Sequence, residues 1–315
     1  MELNIDSAVS QLTTIRDWLR WATSRFHECE IALGHGSDSY WDEAVYLVLQ
    51  ALHLPPTADN RVLGSRLTMP ERYKIAEWVQ RRVVNREPLP YICQTAWQYG
   101  VAFYVDQRVL IPRSPIGQLL ASGLEPWVTK CPGRVLDMCT GSGCLAILSA
   151  FAFEDTLVDA VDISADALTV ASINIARYEL ENRVRLVQSD ALAQIPEGLE
   201  YDLVLCNPPY VDRDEMHSLP QEFRYEPALA LASGFDGLDF VKNFLKSIET
   251  YMSQKGVLIL EVGASYKALE LAYPDFAFTW LDIEGGALGV CVITKQECMT
   301  LAGMVPIETL PEASV

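Results

Sequence analysis

A chain of 315 residues, half of them hydrophobic, can bury two cores, or one core with a sizeable appendage. With 42 acidic against 24 basic residues, a net charge of −18 and a pI near 4.6, it lacks the basic stripe that free nucleic acid requires, and a basic protein would be attracted to it. The longest uncharged apolar run, residues 144–153, is too short to span a bilayer, and the acidic amino terminus has no signal-peptide pattern, so a soluble, cytoplasmic protein is expected.

Residues 1–90 read as a small helical domain. Val9, Leu12, Ile15, Leu19, Ala22 and Phe26 form the stripe of one amphipathic helix, which Asp6 or Ser7 could cap. A second helix is expected over 39–53, and a third over 70–85 behind a Thr68/Glu71 capping box. Trp18, Trp21, Trp41 and Trp78 read as core anchors. Residues 91–113 read as a β-hairpin linker. In it 97–106 is rich in β-forming residues, and 109–111 follows a short Asp-Gln-Arg turn.

Strands and helices alternate over 114–300. Strands are expected at 135–137, 158–162, 184–188, 203–206 and 257–262, and helices at 144–153, 164–181 and 238–251. Segments 276–281 and 289–294 read as a terminal hairpin, antiparallel beside a parallel sheet. The tail, 301–315, reads as flexible. The eight cysteines include no Cys-x-x-Cys pair and the four histidines add no metal-ligand spacing. Reduced thiols, mostly buried, and no metal site are expected.

Asn207-Pro208-Pro209-Tyr210 ends the strand that stops at Cys206, because two prolines cannot continue a ladder. In an open α/β sheet such a turn lies at the carboxyl edge, where ligands bind. Asn207 brings an amide oxygen there and Pro208 only a carbonyl. Two adjacent acceptors suit a planar NH₂ group, with Tyr210 as a flat face for the conjugated group that bears it. Alone, the segment suits a proline turn equally well, with Asn207 bonded to its own backbone.

The turn Thr140-Gly141-Ser142-Gly143 permits positive φ and close ligand approach at Gly141 and Gly143. Asp162 follows Gly141 by 21 residues, at a strand end where it can accept from both ribose hydroxyls. Asp190, after the third strand, can take the exocyclic amine of an adenine. Each acid singly reads as a solvated strand-end carboxylate; together with Asn207 they describe an adenosine-containing ligand. The turn lacks the third glycine of Gly-x-Gly-x-x-Gly and any basic neighbour. A small sulfonium or amino-acid end suits it better than a pyrophosphate, with Asp137 available to accept from an ammonium. His217 reads as a surface loop residue rather than a base.

Asp137-x-x-x-Gly141-Ser142-Gly143, Asp162 and Asn207-Pro208-Pro209-Tyr210 resemble the S-adenosylmethionine methyltransferases that modify exocyclic or amide nitrogen. Ile111-Pro112-Arg113 and the segment 225–234 narrow the resemblance to the protein-glutamine N5-methyltransferases of release factors and ribosomal proteins. Arg113-Ser114-Pro115-Ile116-Gly117, the segment 138–144 and Val211-Asp212 are similar to the branch acting on the third protein of the large ribosomal subunit. The release-factor branch usually has an acid after Pro-Arg and glycine where Cys139 stands. The likeness covers residues 86–296, and the helical domain in outline.

The resemblance implies an α/β, Rossmann-like, seven-stranded sheet with an antiparallel C-terminal hairpin, and a helical domain that recognises substrate. S-adenosylmethionine would be held by Asp137, Thr140, Gly141, Gly143, Asp162, Asp190 and Asn207. Asn207, Pro208, Pro209 and Tyr210, with Arg113 nearby, would hold a glutamine of a basic ribosomal protein, and Asn207, Pro208 and Tyr210 would serve catalysis. An adenine-specific DNA methyltransferase shares the Asn-Pro-Pro-Tyr element, but the net charge of −18 weighs against it. A nicotinamide-dependent oxidoreductase is weakened by the glycine pattern. A non-catalytic binding module of the same fold is opposed by the intact Asn207.

Overall fold

The computed structural model describes residues 4–55 and 57–308, which form two compact units. One comprises the chain through Ala96 with Val105–Gln107 and Pro220–Tyr225; the other comprises Trp97–Tyr104, Arg108–Leu219 and the chain from Glu226.

The helical unit contains helices Ile5–Gln11, Ile15–Glu28, Tyr40–Ala51, Met69–Val84 and Leu89–Cys93. The single helix expected first is therefore two. Asp17 Oδ2 accepts from the N–H groups of Thr13 and Thr14, and Thr14 Oγ1 accepts from Asp17, so a capping box interrupts the stripe while its apolar face carries on. The first cap is Asn4, which accepts from the Ser7 N–H, rather than Asp6 or Ser7. Ser39 caps the next long helix, and the Thr68/Glu71 box opens Met69–Val84. Trp18 is fully buried with Trp21 against its edge. Trp41 is 48% exposed and anchors nothing, because it precedes the buried face that starts at Glu43.

Arg82 is buried between Glu43 (2.6 Å) and Glu222 (3.4 Å), and Arg86 also meets Glu222 (3.2 Å). Glu222 accepts from the Ala32 N–H as well (2.9 Å), which ties Pro220–Tyr225 into this unit. Charges persist inside a protein only when partnered in this way.

Strands β1 (Ala96–Gln98) and β2 (Val101–Phe103) form a hairpin closed by Tyr99 and Gly100, both at positive φ, the geometry of a two-residue turn. The expected strands over 97–106 and 109–111 around an Asp106-Gln107-Arg108 turn are not formed: the turn falls at Tyr99-Gly100, and residues 105–111 form no strand. Just before them, Tyr104 exchanges both its backbone bonds with the Asn174 side chain (2.6 and 3.0 Å), and at their end the Ile111 N–H donates to Glu226 Oε1 (2.9 Å). Side chains thus take the groups that a ladder would use.

The main sheet contains β3 (Arg134–Met138), β4 (Leu157–Asp162), β5 (Val184–Gln188), β6 (Tyr201–Cys206), β7 (Met252–Glu261), β8 (Thr279–Trp280) and β9 (Val290–Thr294). Their order is β5-β4-β3-β6-β7-β9-β8. The first five run parallel, while β9 lies antiparallel between β7 and β8, giving the expected seven-stranded sheet and antiparallel hairpin. Strand β8 is shorter than expected, because Phe278 packs its ring against Phe276, Tyr273 and Trp280 instead of pairing.

Strands β3, β6 and β7 are buried on both faces, which accounts for their unbroken apolar runs. The one carboxylate inside β4, Asp159, is held by Arg134 (3.1 Å), Arg185 (2.7 Å) and the Tyr201 hydroxyl (2.8 Å). The chain proceeds outward in opposite directions from β3 and β6, so their carboxyl ends border the crevice where open sheets take ligands.

Two further expectations change. The helix over 238–251 is Asp239–Leu245 followed by a 3-10 turn, Ile248–Tyr251; Ser247 leaves helical geometry and turns Ile248 into the core. A Thr294/Glu297 capping box starts another helix, Lys295–Ala302, whose Leu301 is buried. The Ile307 N–H then donates to the Ala272 carbonyl, so 301–308 packs on the sheet unit, and the rest of the expected tail lies outside the described residues. Among the described residues no helix is long and apolar enough to cross a membrane.

Candidate active site

A cavity of about 360 Å³ lies at the carboxyl ends of β3, β4, β5 and β6. Five of the residues predicted from the sequence line it: Gly141, Asp162, Asp190, Asn207 and Pro209. Each follows or ends a different parallel strand, apart from Asn207 and Pro209, which share the end of β6. Apolar groups such as Met138, Ile163, Ala167, Leu229 and Phe240 complete much of the wall. Gly141 has φ +56°, and a Cβ there would meet no protein atom within 4 Å. The space above it belongs to the cavity, as close ligand approach requires. Gly143 (φ +79°) serves packing instead, since its Cβ would stand 3.2 Å from that of Ala171.

Asp162 holds the turn it faces. Its Oδ2 accepts from the Gly141 N–H (2.9 Å) and its Oδ1 from the Ser164 N–H (2.9 Å). Burial raises its pKa, against the lowering effect of those donors. Asp190 is exposed at the rim. Asp137 and Thr140 stand outside the lining: the Thr140 hydroxyl donates to Asp137 Oδ2 (2.5 Å), which also accepts from the Ala146 N–H (3.0 Å). Asp137 Oδ1 is buried without a partner. Burial pushes this carboxyl up to about 7, opposed by those two donors.

Asn207 presents a buried Oδ1 that has no hydrogen-bond partner. Self-bonding to its own backbone, the alternative left open by sequence, is therefore not what this oxygen does. Pro208 is buried. Tyr210 turns away from the lining: its hydroxyl donates to Glu261 Oε1 (3.0 Å), and its carbonyl accepts from Ser265 Oγ (2.8 Å). Burial raises the Tyr210 hydroxyl far above its usual range, and the Glu261 charge adds to this. Glu261 Oε2 accepts from Ser114 Oγ (2.5 Å). Burial pushes Glu261 up to about 7, opposed by Ser114, Tyr210 and the charge of Arg113. Arg113 itself grips buried Glu226 with both terminal nitrogens (2.6 and 3.0 Å). His217 is exposed on a short helix, Arg213–Ser218, rather than in a loop.

Sequence reasoning missed part of the wall. Arg108, Val109 and Leu110 line the cavity from the stretch expected to be the turn and second strand of the hairpin. Glu226 stood in a recognised segment without a role. Glu261 had a readable signal, an acid ending an apolar run, as Asp137 and Asp162 do.

The residues fit the adenosyl ligand: an open glycine turn, a carboxylate at the end of β4, an acid at the end of β5 and a largely apolar chamber. Residues 117–255 match the family model described as "Methyltransferase small domain". Sheet order, cavity and this match define an S-adenosylmethionine-dependent methyltransferase. Three relatives carry the name ribosomal protein uL3 glutamine methyltransferase. The protein from Bordetella pertussis is 48% identical, over 92% of this chain and 98% of its own. That from Neisseria gonorrhoeae is 45% identical (93% and 98%), and that from Francisella tularensis 44% (92% and 92%). The chain belongs to the ribosomal protein uL3 glutamine methyltransferase family.

Proposed function

We propose that this enzyme methylates the side-chain nitrogen of a glutamine in ribosomal protein uL3, with Asn207 and Pro208 holding the acceptor amide. The observation that carries the reading is the buried, unpartnered Oδ1 of Asn207, a residue that lines the cavity. A buried oxygen left unmatched costs about 1–3 kcal/mol, and such groups persist where a ligand satisfies them. An amide nitrogen is a poor nucleophile because its lone pair is delocalised into the carbonyl. By accepting the two N–H bonds, Asn207 Oδ1 and the Pro208 carbonyl orient that lone pair into the cavity. They also stabilise positive charge growing on the nitrogen, so no base is needed before transfer and the proton leaves afterwards. S-adenosylmethionine supplies the methyl group on a sulfonium that departs as a neutral thioether.

Asp162 and Asp190 are assigned to the ribose and adenine, and Asp137 and Thr140 to supporting the glycine turn from beneath. Arg113, occupied by Glu226 and outside the cavity lining, is assigned to holding the segment that leads to Pro227 rather than to meeting the substrate. The helical unit is assigned to substrate recognition. A net charge of −18 favours a basic partner, through an attraction that salt screens.

The test uses methyl-labelled cofactor with purified uL3, its Gln→Asn variant and a release factor. Asparagine is one methylene shorter, which leaves its nitrogen about 1 Å or more from the attack position and lowers the rate about a hundredfold. We expect label on uL3, little on the variant, and a rate at limiting substrate that falls with salt. Preferential labelling of the release factor would place the chain in the other branch. Label on DNA adenine alone would overturn the glutamine assignment.

A further inference from the structure

We propose that Glu261 is a positioning residue for methyl transfer, holding the acceptor turn in register through the Tyr210 hydroxyl. The proposal rests on the reading of Asn207 given above. Glu261 ends β7, the strand beside β6, and Asn207 directly follows β6. It is buried, and both oxygens are engaged, one by Tyr210 (3.0 Å) and one by Ser114 (2.5 Å).

Tyr210 is enclosed on its other sides. A Cβ at Gly263 would stand 2.5 Å from its ring, and one at Gly237 would stand 2.2 Å from its carbonyl oxygen, which also accepts from Ser265 Oγ. The end of β7 and the turn at Gly263 thus meet the Tyr210 side chain, the turn at Gly237 meets its backbone, and Ser114 after Arg113 holds Glu261 in place. Only Pro208 and Pro209 separate Tyr210 from Asn207, and each proline has φ fixed by its ring. The four residues therefore move nearly as one body, clamped by β6 at one end and by Glu261 at the other.

That clamp fixes where Asn207 Oδ1 and the Pro208 carbonyl point, and an error of about 1 Å at the reacting atom can lower a rate about a hundredfold. Tyr210 is accordingly a strut in this chain, not a stacking face for the acceptor.

Glu261→Gln, Tyr210→Phe and the double variant test this, with Glu261→Ala as a comparison. Gln keeps the size and one acceptor, and removes a buried charge, so folding is retained. Turnover on uL3 should fall about tenfold or more in each single variant. KM for uL3 and the dissociation constant of S-adenosylmethionine should stay within about threefold, since neither residue lines the cavity. The double variant should be no slower than the slower single, because both break one clamp. Glu261→Ala should be slower than Glu261→Gln. Wild-type turnover in Glu261→Gln, multiplying losses in the double variant, or a matching loss of cofactor affinity would overturn the proposal. A wild-type protein that binds cofactor yet leaves uL3 unlabelled would instead overturn the glutamine reading, and this inference with it.

Discussion

Asn207→Ala should separate catalysis from stability in opposite directions. The variant loses an acceptor for the amide in the transition state, a loss of about 3 kcal/mol or roughly a hundredfold in turnover. In the free protein the same oxygen is buried without a partner. Removing it relieves a cost of about 1–3 kcal/mol, offset by the packing contacts of a small side chain. Stability should therefore be unchanged or higher by about 1 kcal/mol, about 2 °C in melting temperature for a chain of this size. Most neutral substitutions of partly buried residues go the other way. Label transfer to uL3 gives turnover, titration calorimetry gives cofactor affinity, and a thermal scan gives stability. We expect a large loss in the first, near constancy in the second and no loss in the third. Turnover within about threefold of wild type, or a melting temperature several degrees lower, would mean that Asn207 is a structural residue and that the reasoning fails.

Asp162→Ala should weaken S-adenosylmethionine binding by about one to two orders of magnitude, since it removes the proposed ribose acceptor and the bonds holding the Gly141 and Ser164 N–H groups; unchanged affinity by calorimetry would move the ribose site elsewhere. Arg82→Met should destabilise the protein by about 3–5 kcal/mol in urea, because it strands Glu43 inside the helical unit and leaves Glu222 only Arg86 and the Ala32 N–H. A loss below about 1 kcal/mol would mean that both carboxylates find other partners. Burial raises Asp137 and Glu261 to about 7, above the ~4 of unfolded carboxyls. The folded chain then keeps protons that the unfolded chain releases, a stability complete below about pH 4 and lost as pH rises through about 7. The melting temperature should fall between about pH 5 and pH 8, less steeply in Asp137→Asn; a flat or rising profile in the wild type would contradict these shifts.

The sheet was legible because its central strands are buried on both faces and so carry uninterrupted apolar runs. The acids at strand ends and the double proline at Asn207 were legible for the same reason: a polar group directly after such a run has to lie at the sheet edge. What escaped was fixed by partners far away in sequence. The amphipathic stripe of the first helix continues across Thr13 and Thr14, and only the Thr14–Asp17 box reveals the break. Residues 97–105 and 109–111 are rich in strand-forming side chains, but Asn174 takes the backbone of Tyr104 and Glu226 the N–H of Ile111. Tyr210 has the composition of a stacking face, and its partner Glu261 is 51 residues away. Arg113 looked free to reach a ligand until Glu226, 113 residues on, occupied it.

The buried acids separate the site from its scaffold. Seven acidic residues are buried among those described: Glu43, Glu87, Asp137, Asp159, Glu222, Glu226 and Glu261. Glu43 and Glu222 share Arg82, Glu87 has Arg81, Asp159 has Arg134 and Arg185, and Glu226 has Arg113. Only Asp137 and Glu261 are held by hydroxyl or backbone donors instead of a cation, and burial drives both to about 7. One supports the glycine turn and the other the acceptor turn. The fold accepts two poorly compensated carboxyls here and pairs every other buried acid. Buried carboxyls left without a cation, one on a strand that ends at the cavity and one bonded to the acceptor turn, mark these two as the groups whose substitution tests the proposed site most directly.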